Sequence, residues 1–201
     1  MTDTRLLAAA QVNRVAHAVF GIVSAVDPNN HAIKVRVQPE DIETGWMPDI
    51  SGVQSGDLKI SCPSSLGTHV VLVPVEGDAE QFIAVGTLFD SVVMPPRVPG
   101  EGRVIYPGEW LIQAGGGGAG QSLSQNTGGW ILVSARELKM GLGGAGIVIK
   151  DKEIVLSVGG TILSLTDSGL VVRGGDICTD NISLNEHIHL VGSQKSTGPV
   201  S

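Results

Sequence analysis

Two histidines near the C-terminal end, His187 and His189, have the residue type and spacing to bind a metal ion. On a β-strand, side chains at positions i and i+2 point to the same face, so both imidazoles would point together. An isolated pair of this kind is a weak motif, because most such pairs are surface residues, and one chain supplies only two ligands. Three chains around one axis would supply six nitrogens, which suits an octahedral transition ion. Zinc usually prefers four ligands, so iron is the first choice and other transition metals stay open.

The segment before this pair, residues 147–180, repeats short apolar stretches every seven to nine residues, each closed by a turn-forming cluster such as Gly-Gly or Asp-Ser-Gly. Such a short period is typical of a solenoid or β-helix. Within the stretches, apolar residues are expected to alternate with polar positions. The alternating apolar residues are Ile147 and Ile149, then Ile154, Leu156 and Val158, then Leu163 and Leu165, then Leu170 and Val172. One narrow ladder of strands leaves its apolar face wet and its edges open. Either the chain coils on itself as a single-chain β-helix or three chains wrap around a shared axis. About 35 residues are too few for the first, so we predict an intertwined trimeric β-helix stalk over 147–181.

The N-terminal part predicts a different domain. Residues 1–18 are the only helix-like stretch and predict a short helix or arm. From residue 19 the apolar period becomes two, and about five short strands follow up to residue 92, separated by turns. Ile33, Val35 and Val37 alternate with polar residues, and Val70, Leu72 and Val75 can pair with Phe82, Ala84 and Val85. This number of strands fits a small Greek-key barrel of the OB type.

Residues 93–146 predict a linker and a glycine-rich β-region. Four of the chain's ten prolines fall near its start, at Pro95, Pro96, Pro99 and Pro107. The runs Gly115–Gly118 and Gly141–Gly146 resemble phosphate-binding loops, but neither is followed by Gly-Lys-Ser/Thr or by a helical pattern. We interpret them as linkers or tight strand crossovers.

Composition excludes several classes of function. The net charge of −7 and the lack of any Lys/Arg cluster argue against nucleic acid as a partner. No apolar run reaches the roughly 18 residues of a membrane helix, and no signal peptide is evident, so we expect a protein made in the cytosol. Cys62 and Cys178 are predicted to be buried free thiols. Aromatic residues make up only 3%, which suits narrow layers of aliphatic side chains.

The order of these parts resembles the baseplate assembly protein V, or central spike, family of contractile-tailed phages such as Mu. The most specific elements are His187-Ile188-His189 and the tail Thr197-Gly198-Pro199. Family members often have glycine directly after the second histidine, whereas this chain has Leu190 and Val191. The metal-binding apex would comprise residues 182–201.

The resemblance implies a homotrimer in the virion, at the centre of the tail baseplate, whose OB domains attach to the hub at the end of the tail tube. One structural iron ion per trimer would be held by His187 and His189 of all three chains. Sheath contraction would drive the spike through the host outer membrane. Related spikes also occur in bacteriocin-like and secretion devices.

Two other classes of function stay open. An enzyme would need a catalytic site, and the acids Glu76, Asp78 and Glu80 lie in a turn where carboxylates are usually solvated; we therefore expect no catalysis and no small-molecule substrate. A receptor- or glycan-binding fibre would bind one host glycan tightly, and such fibres generally carry varied aromatic or polar side chains at the tip.

Overall fold

The computed structural model describes residues 17–77, 81–115, 128–180 and 182–196. Within these ranges the regular secondary structure consists of β-strands and one 3₁₀ turn, Val75–Gly77, without an α-helix. This confirms the all-β class. No helix in the described part of the chain is long and apolar enough to cross a membrane. The arm predicted over 1–18 lies outside the described residues except for His17 and Ala18. The chain divides into two compact units, the first extending to Pro95 and the second beginning at Pro96.

The first unit contains eight strands, β1 (Val19–Asp27), β2 (Ala32–Val37), β3 (Ile42–Glu43), β4 (Met47–Pro48), β5 (Gly52–Ser55), β6 (Leu58–Ser61), β7 (His69–Pro74) and β8 (Phe82–Leu88), within its described residues. They form an antiparallel sheet with the order β3-β2-β1-β7-β8, in which β4 also pairs with β2, and a separate hairpin of β5 and β6.

Alternation along β2 and β7 builds the core of this unit. Ile33 and Val35 point inward while the residues between and after them, Lys34 and Arg36, are more exposed. The buried cluster consists of Val23, Ile33, Val35, Met47, Val70, Leu72 and Ala84. The predicted pairing of β7 with β8 is confirmed, with Leu72 opposite Ala84 and a bulge next to it. Asp78 and Glu80, which come between these strands in the sequence, lie outside the described residues.

The second unit contains a seven-stranded antiparallel meander in which each strand pairs with the next one in sequence. Its strands are β9 (Trp110–Gln113), β10 (Trp130–Val133), β11 (Glu137–Leu142), β12 (Ala145–Lys150), β13 (Glu153–Val158), β14 (Thr161–Thr166) and β15 (Gly169–Arg173). Two small hairpins follow, β16 (Cys178–Thr179) with β17 (Ile182–Ser183) and β18 (Leu190–Val191) with β19 (Gln194–Lys195). The meander thus begins at Trp110, upstream of the repeat that is visible in the sequence.

Two-residue turns connect β11 to β15, at residues 143–144, 151–152, 159–160 and 167–168. Such turns suit glycine and Asp-Ser, which tolerate the backbone angles of tight hairpins. Since neighbours in sequence are also neighbours in the sheet, the described part of one chain does not coil on itself as a single-chain β-helix would. The ladder is open at β9 and β15.

An ion-pair network attaches the loop before β9 to the meander. Arg103 binds Glu109 with two hydrogen bonds, of 2.6 and 3.0 Å, and its Nε donates to Glu101 at 2.7 Å. Glu101 also accepts a hydrogen bond of 2.7 Å from Lys139 on β11, and Lys139 pairs with Glu137. The network shares each cation between two carboxylates, which fixes this loop beside the face of the sheet that carries Glu137 and Lys139.

Candidate metal centre and assembly face

The register of the meander places most of its apolar side chains on one face. Directly opposed residues in an antiparallel pair point to the same face of the sheet, and successive residues along a strand point to opposite faces. One row runs across all seven strands as Trp110, Val133, Leu138, Ile149, Ile154, Leu165 and Leu170. A second row is Ile112, Ile131, Met140, Ile147, Leu156, Leu163 and Val172, and a shorter third row is Leu142, Ala145, Val158 and Thr161. We call the side chains of these three rows the apolar face.

No residue of the apolar face is buried within one chain. Val158 is 68% exposed, and Leu170 is 52% exposed. Thr161 is the only polar residue in the three rows. The charged residues of the meander strands all lie on the opposite face, namely Glu137, Lys139, Lys150, Glu153 and Arg173. The shared face predicted for the apolar residues of 147–172 is therefore confirmed, and it extends back to Trp110. The prediction that the positions between them are polar is wrong at Val148, Val155 and Val171, which lie on the opposite face.

The carboxylate of Asp176, just after the meander, organises the next segment. Its Oδ1 accepts hydrogen bonds from the backbone N–H groups of Ile177 at 2.8 Å and Asn185 at 3.3 Å. Its Oδ2 accepts the hydroxyl proton of Ser183 and a 3.6 Å hydrogen bond from the Cys178 thiol. The Ser183 hydrogen bond contributes most to holding the pKa of Asp176 below its ordinary value.

Ser183 connects Asp176 to the turn that precedes His187 through hydrogen bonds. Its hydroxyl oxygen accepts the N–H of Glu186 at 2.9 Å, and its carbonyl oxygen accepts the N–H of His187 at 3.0 Å. The imidazole Nδ1 of His187 lies 2.9 Å from the carbonyl oxygen of Leu184. Since a carbonyl oxygen only accepts, this hydrogen bond requires the proton on Nδ1, and Nε2 is the ring nitrogen that it leaves available.

Ser196 holds the second histidine from the other side. The N–H of His189 donates to the Ser196 hydroxyl at 2.9 Å, and the N–H of Ser196 donates to the carbonyl oxygen of His189 at 2.8 Å. Between them lies the β18–β19 hairpin, in which Leu190 pairs with Lys195. The two residues at which this chain departs from the resembled family, Leu190 and Val191, thus form a strand.

The structure brings the two predicted ligands together, but not in the predicted way. His187, Ile188 and His189 lie in no strand, whereas the prediction derived their common direction from strand geometry. The rings nevertheless meet edge to face, with centroids 5.0 Å apart and an interplanar angle of 87°. Within the described residues of one chain, no three His, Cys, Asp or Glu side chains are grouped to hold a metal ion.

The structure also corrects the prediction for the cysteines. Cys62 and Cys178 are free thiols, but both are exposed rather than buried. Cys62 directly follows the exposed hairpin of β5 and β6, and Cys178 belongs to the two-residue strand β16. Neither position lies within a layer that could cover it.

Asp176, Ser183, Leu184 and Ser196 were not singled out from the sequence. The tail Thr197-Gly198-Pro199, which was, lies outside the described residues. No protein-family model matches this sequence, and no curated protein is found to be similar to it.

Proposed function

We propose that this chain is the central spike of a contractile-tail baseplate, a homotrimer that acts mechanically rather than catalytically. The observation that carries the proposal is the apolar face, which is continuous across seven strands and uncovered within one chain. Apolar surface of this extent is characteristic of a surface that another protein covers. A stiff structure that works by penetration requires many chain segments packed side by side. Association of chains through the apolar face would provide this packing.

Copies of the same chain are the occupants that fit this face best. Its rows contain mainly aliphatic residues, together with Trp110 at one end, Met140 and Thr161, and they include no charged group that would need a partner of opposite sign. Fully burying a Val, Leu or Ile contributes about 1.5–3 kcal/mol relative to leaving it exposed. Narrow aliphatic layers fit around a three-fold axis, where large rings would be crowded.

The histidine pair supports a structural metal in the same assembly. His187 donates from Nδ1 to a backbone carbonyl, as metal-ligating histidines commonly do, which leaves Nε2 for the ion. Two imidazoles per chain would give six in a trimer, a donor set that suits iron or a related transition ion. A bound ion would cross-link the three chains near their C-terminal ends, where chains otherwise fray.

We assign the first unit to the OB fold on the basis of its small antiparallel sheet around one aliphatic core. In the proposed spike this unit attaches to the hub at the end of the tail tube. The meander and the histidine pair then point toward the host outer membrane, in the virion of a phage or in a related device.

Molar mass in solution, measured together with the metal content of the same sample, tests the proposal. The expected result is three chains per particle and about one iron per trimer. The His187→Ala/His189→Ala double variant should keep the three-chain mass while losing the metal. A monomer would overturn the proposal. So would a dimer with four histidines around a zinc ion, because it would place the apolar faces in a two-sheet sandwich.

A further inference from the structure

We infer that Asp176 is a positioning residue which, through Ser183, fixes the orientation and the tautomer of His187. The inference rests on the proposed metal site and assigns a role to two residues that are not themselves ligands. Asp176 precedes His187 by eleven residues, so the link depends on the folded hairpin and not on local sequence.

The first step is the contact between the two side chains. The Ser183 hydroxyl has one proton, and it donates that proton to Asp176 Oδ2. Its oxygen lone pairs are therefore turned toward the N–H of Glu186, from which the hydroxyl accepts at 2.9 Å. An ionised carboxylate is the partner that imposes this direction, because it can only accept.

The second step runs through the backbone of the turn. Asp176 Oδ1 binds the N–H of Asn185, and Ser183 binds the N–H groups of Glu186 and His187. Three consecutive N–H groups of residues 185–187 are thus held by Asp176 and Ser183. This arrangement fixes the carbonyl oxygen of Leu184 at 2.9 Å from Nδ1 of His187.

The third step is chemical. A neutral imidazole exchanges its proton between two nitrogens, and the hydrogen bond at one nitrogen decides which of them is free for a metal. Partners that orient a ligating histidine in this way typically change metal affinity by about 10–100-fold when they are mutated. We expect an effect of that size for Asp176 and Ser183, with the three-chain assembly unchanged.

The test uses the full chain stripped of metal and titrated with Co²⁺, whose visible absorption reports both affinity and coordination. The variants are Asp176→Asn, which replaces the accepting Oδ2 by a donor, Ser183→Ala, and Ser183→Thr as the conservative rescue. Asp167→Asn is the matched control, since Asp167 is an exposed aspartate in the turn between β14 and β15. Asp176→Asn and Ser183→Ala should bind Co²⁺ about 10–100-fold more weakly, and Ser183→Thr and Asp167→Asn should bind it like the parent.

A second readout needs no metal. ¹⁵N NMR of the imidazole in the metal-free protein, under alkaline conditions that keep the ring neutral, should show the Nδ1–H form of His187 in the parent and its loss in Asp176→Asn. If Asp176→Asn fails to assemble, Ser183→Ala decides by the same two measurements. Unchanged affinity and tautomer in Ser183→Ala would overturn the inference and leave the metal site standing. A parent protein that does not bind Co²⁺ would overturn the metal site itself, whatever the tautomer.

Discussion

At the scale of single residues, the indole ring of Trp130 lies over Gly141 in the meander and leaves no room for a side chain there. Gly141 is opposite Trp130 in the register of β10 and β11. A Cβ built on Gly141 would lie 2.8 to 3.0 Å from three atoms of the Trp130 indole. The absence of a side chain at Gly141 therefore lets Trp130 lie flat across the strand, on the face opposite the apolar rows.

We predict that Gly141→Ala displaces Trp130 and lowers the free energy of unfolding by about 1–3 kcal/mol, as inserting an atom into a packed contact typically does. The matched control is Gly144→Ala in the adjoining turn, where a Cβ would meet nothing within 4 Å. Urea unfolding followed by tryptophan fluorescence measures both effects. Equal midpoints for the two variants would contradict the prediction.

The histidine pair shows what residue types and spacing can predict about a site. Spacing alone indicated that His187 and His189 point together, and the rings are indeed in contact. The reason was wrong, because residues 187–189 form an irregular segment between the turn at 184–186 and the β18–β19 hairpin instead of a strand. Asp176 could not be found in this way, since its link to His187 passes through hydrogen bonds between residues up to nine positions apart, for which no periodicity exists.

At the scale of elements, Asp90 joins the end of one strand of the first unit to the beginning of another. Its Oδ2 lies 2.5 Å from Nδ1 of His69, the first residue of β7, and its Oδ1 accepts from the N–H groups of Val92 and Val93. The Val93 hydrogen bond first, then those from His69 and Val92, lower the pKa of Asp90 from 3.8 to about 2.

This lowered pKa predicts how stability depends on acid. Because the folded-state pKa lies below the unfolded one, the carboxylate stabilises the fold fully above about pH 4, and this stabilisation is lost as the pH falls towards 2. Asp90→Asn should therefore show a weaker fall of the melting temperature between pH 4 and pH 2 than the parent protein. Asp57→Asn, in the exposed turn between β5 and β6, is the control and should follow the parent. Parallel curves for Asp90→Asn and the parent would refute the prediction.

Elements with a clean apolar period could be predicted from the sequence, and those without one could not. Within residues 147–172 apolar residues recur at every second position, so the strands and the shared face were predictable, although Val148, Val155 and Val171 are apolar at intervening positions. Strands β9, β10 and β11 lie within the predicted glycine-rich β-region, but their membership of the same ladder as the repeat was not predicted, because the glycines and polar residues around them interrupt the apolar period.

At the scale of the whole molecule, the apolar face offers a direct test of which surface makes the assembly. Leu170 and Val171 are neighbours on β15 and are similarly exposed in one chain, at 52% and 47%. The register puts Leu170 on the apolar face and Val171 on the opposite one. The two positions therefore differ in the face to which they belong.

We predict that Leu170→Glu converts the trimer into monomers, because assembly would bury three unpaired carboxylates at a cost of several kcal/mol each. Val171→Glu should remain trimeric, since its side chain stays in water. Light scattering after size-exclusion chromatography measures both masses. Trimers from both variants, or monomers from both, would show that the contact is made elsewhere.

The uniform turns of the meander have a consequence for how the length of this part can change in evolution. Each strand adds about 4.8 Å along the ladder, and strands touch only their sequence neighbours. Deleting residues 145–160 would join the turn at 143–144 to Thr161, which could oppose Leu142 as Ala145 does now. The chain direction and the side taken by the aliphatic residues would both be preserved. Gain or loss of one hairpin therefore changes the length of the ladder by about 9–10 Å and leaves the strands at both of its ends unchanged.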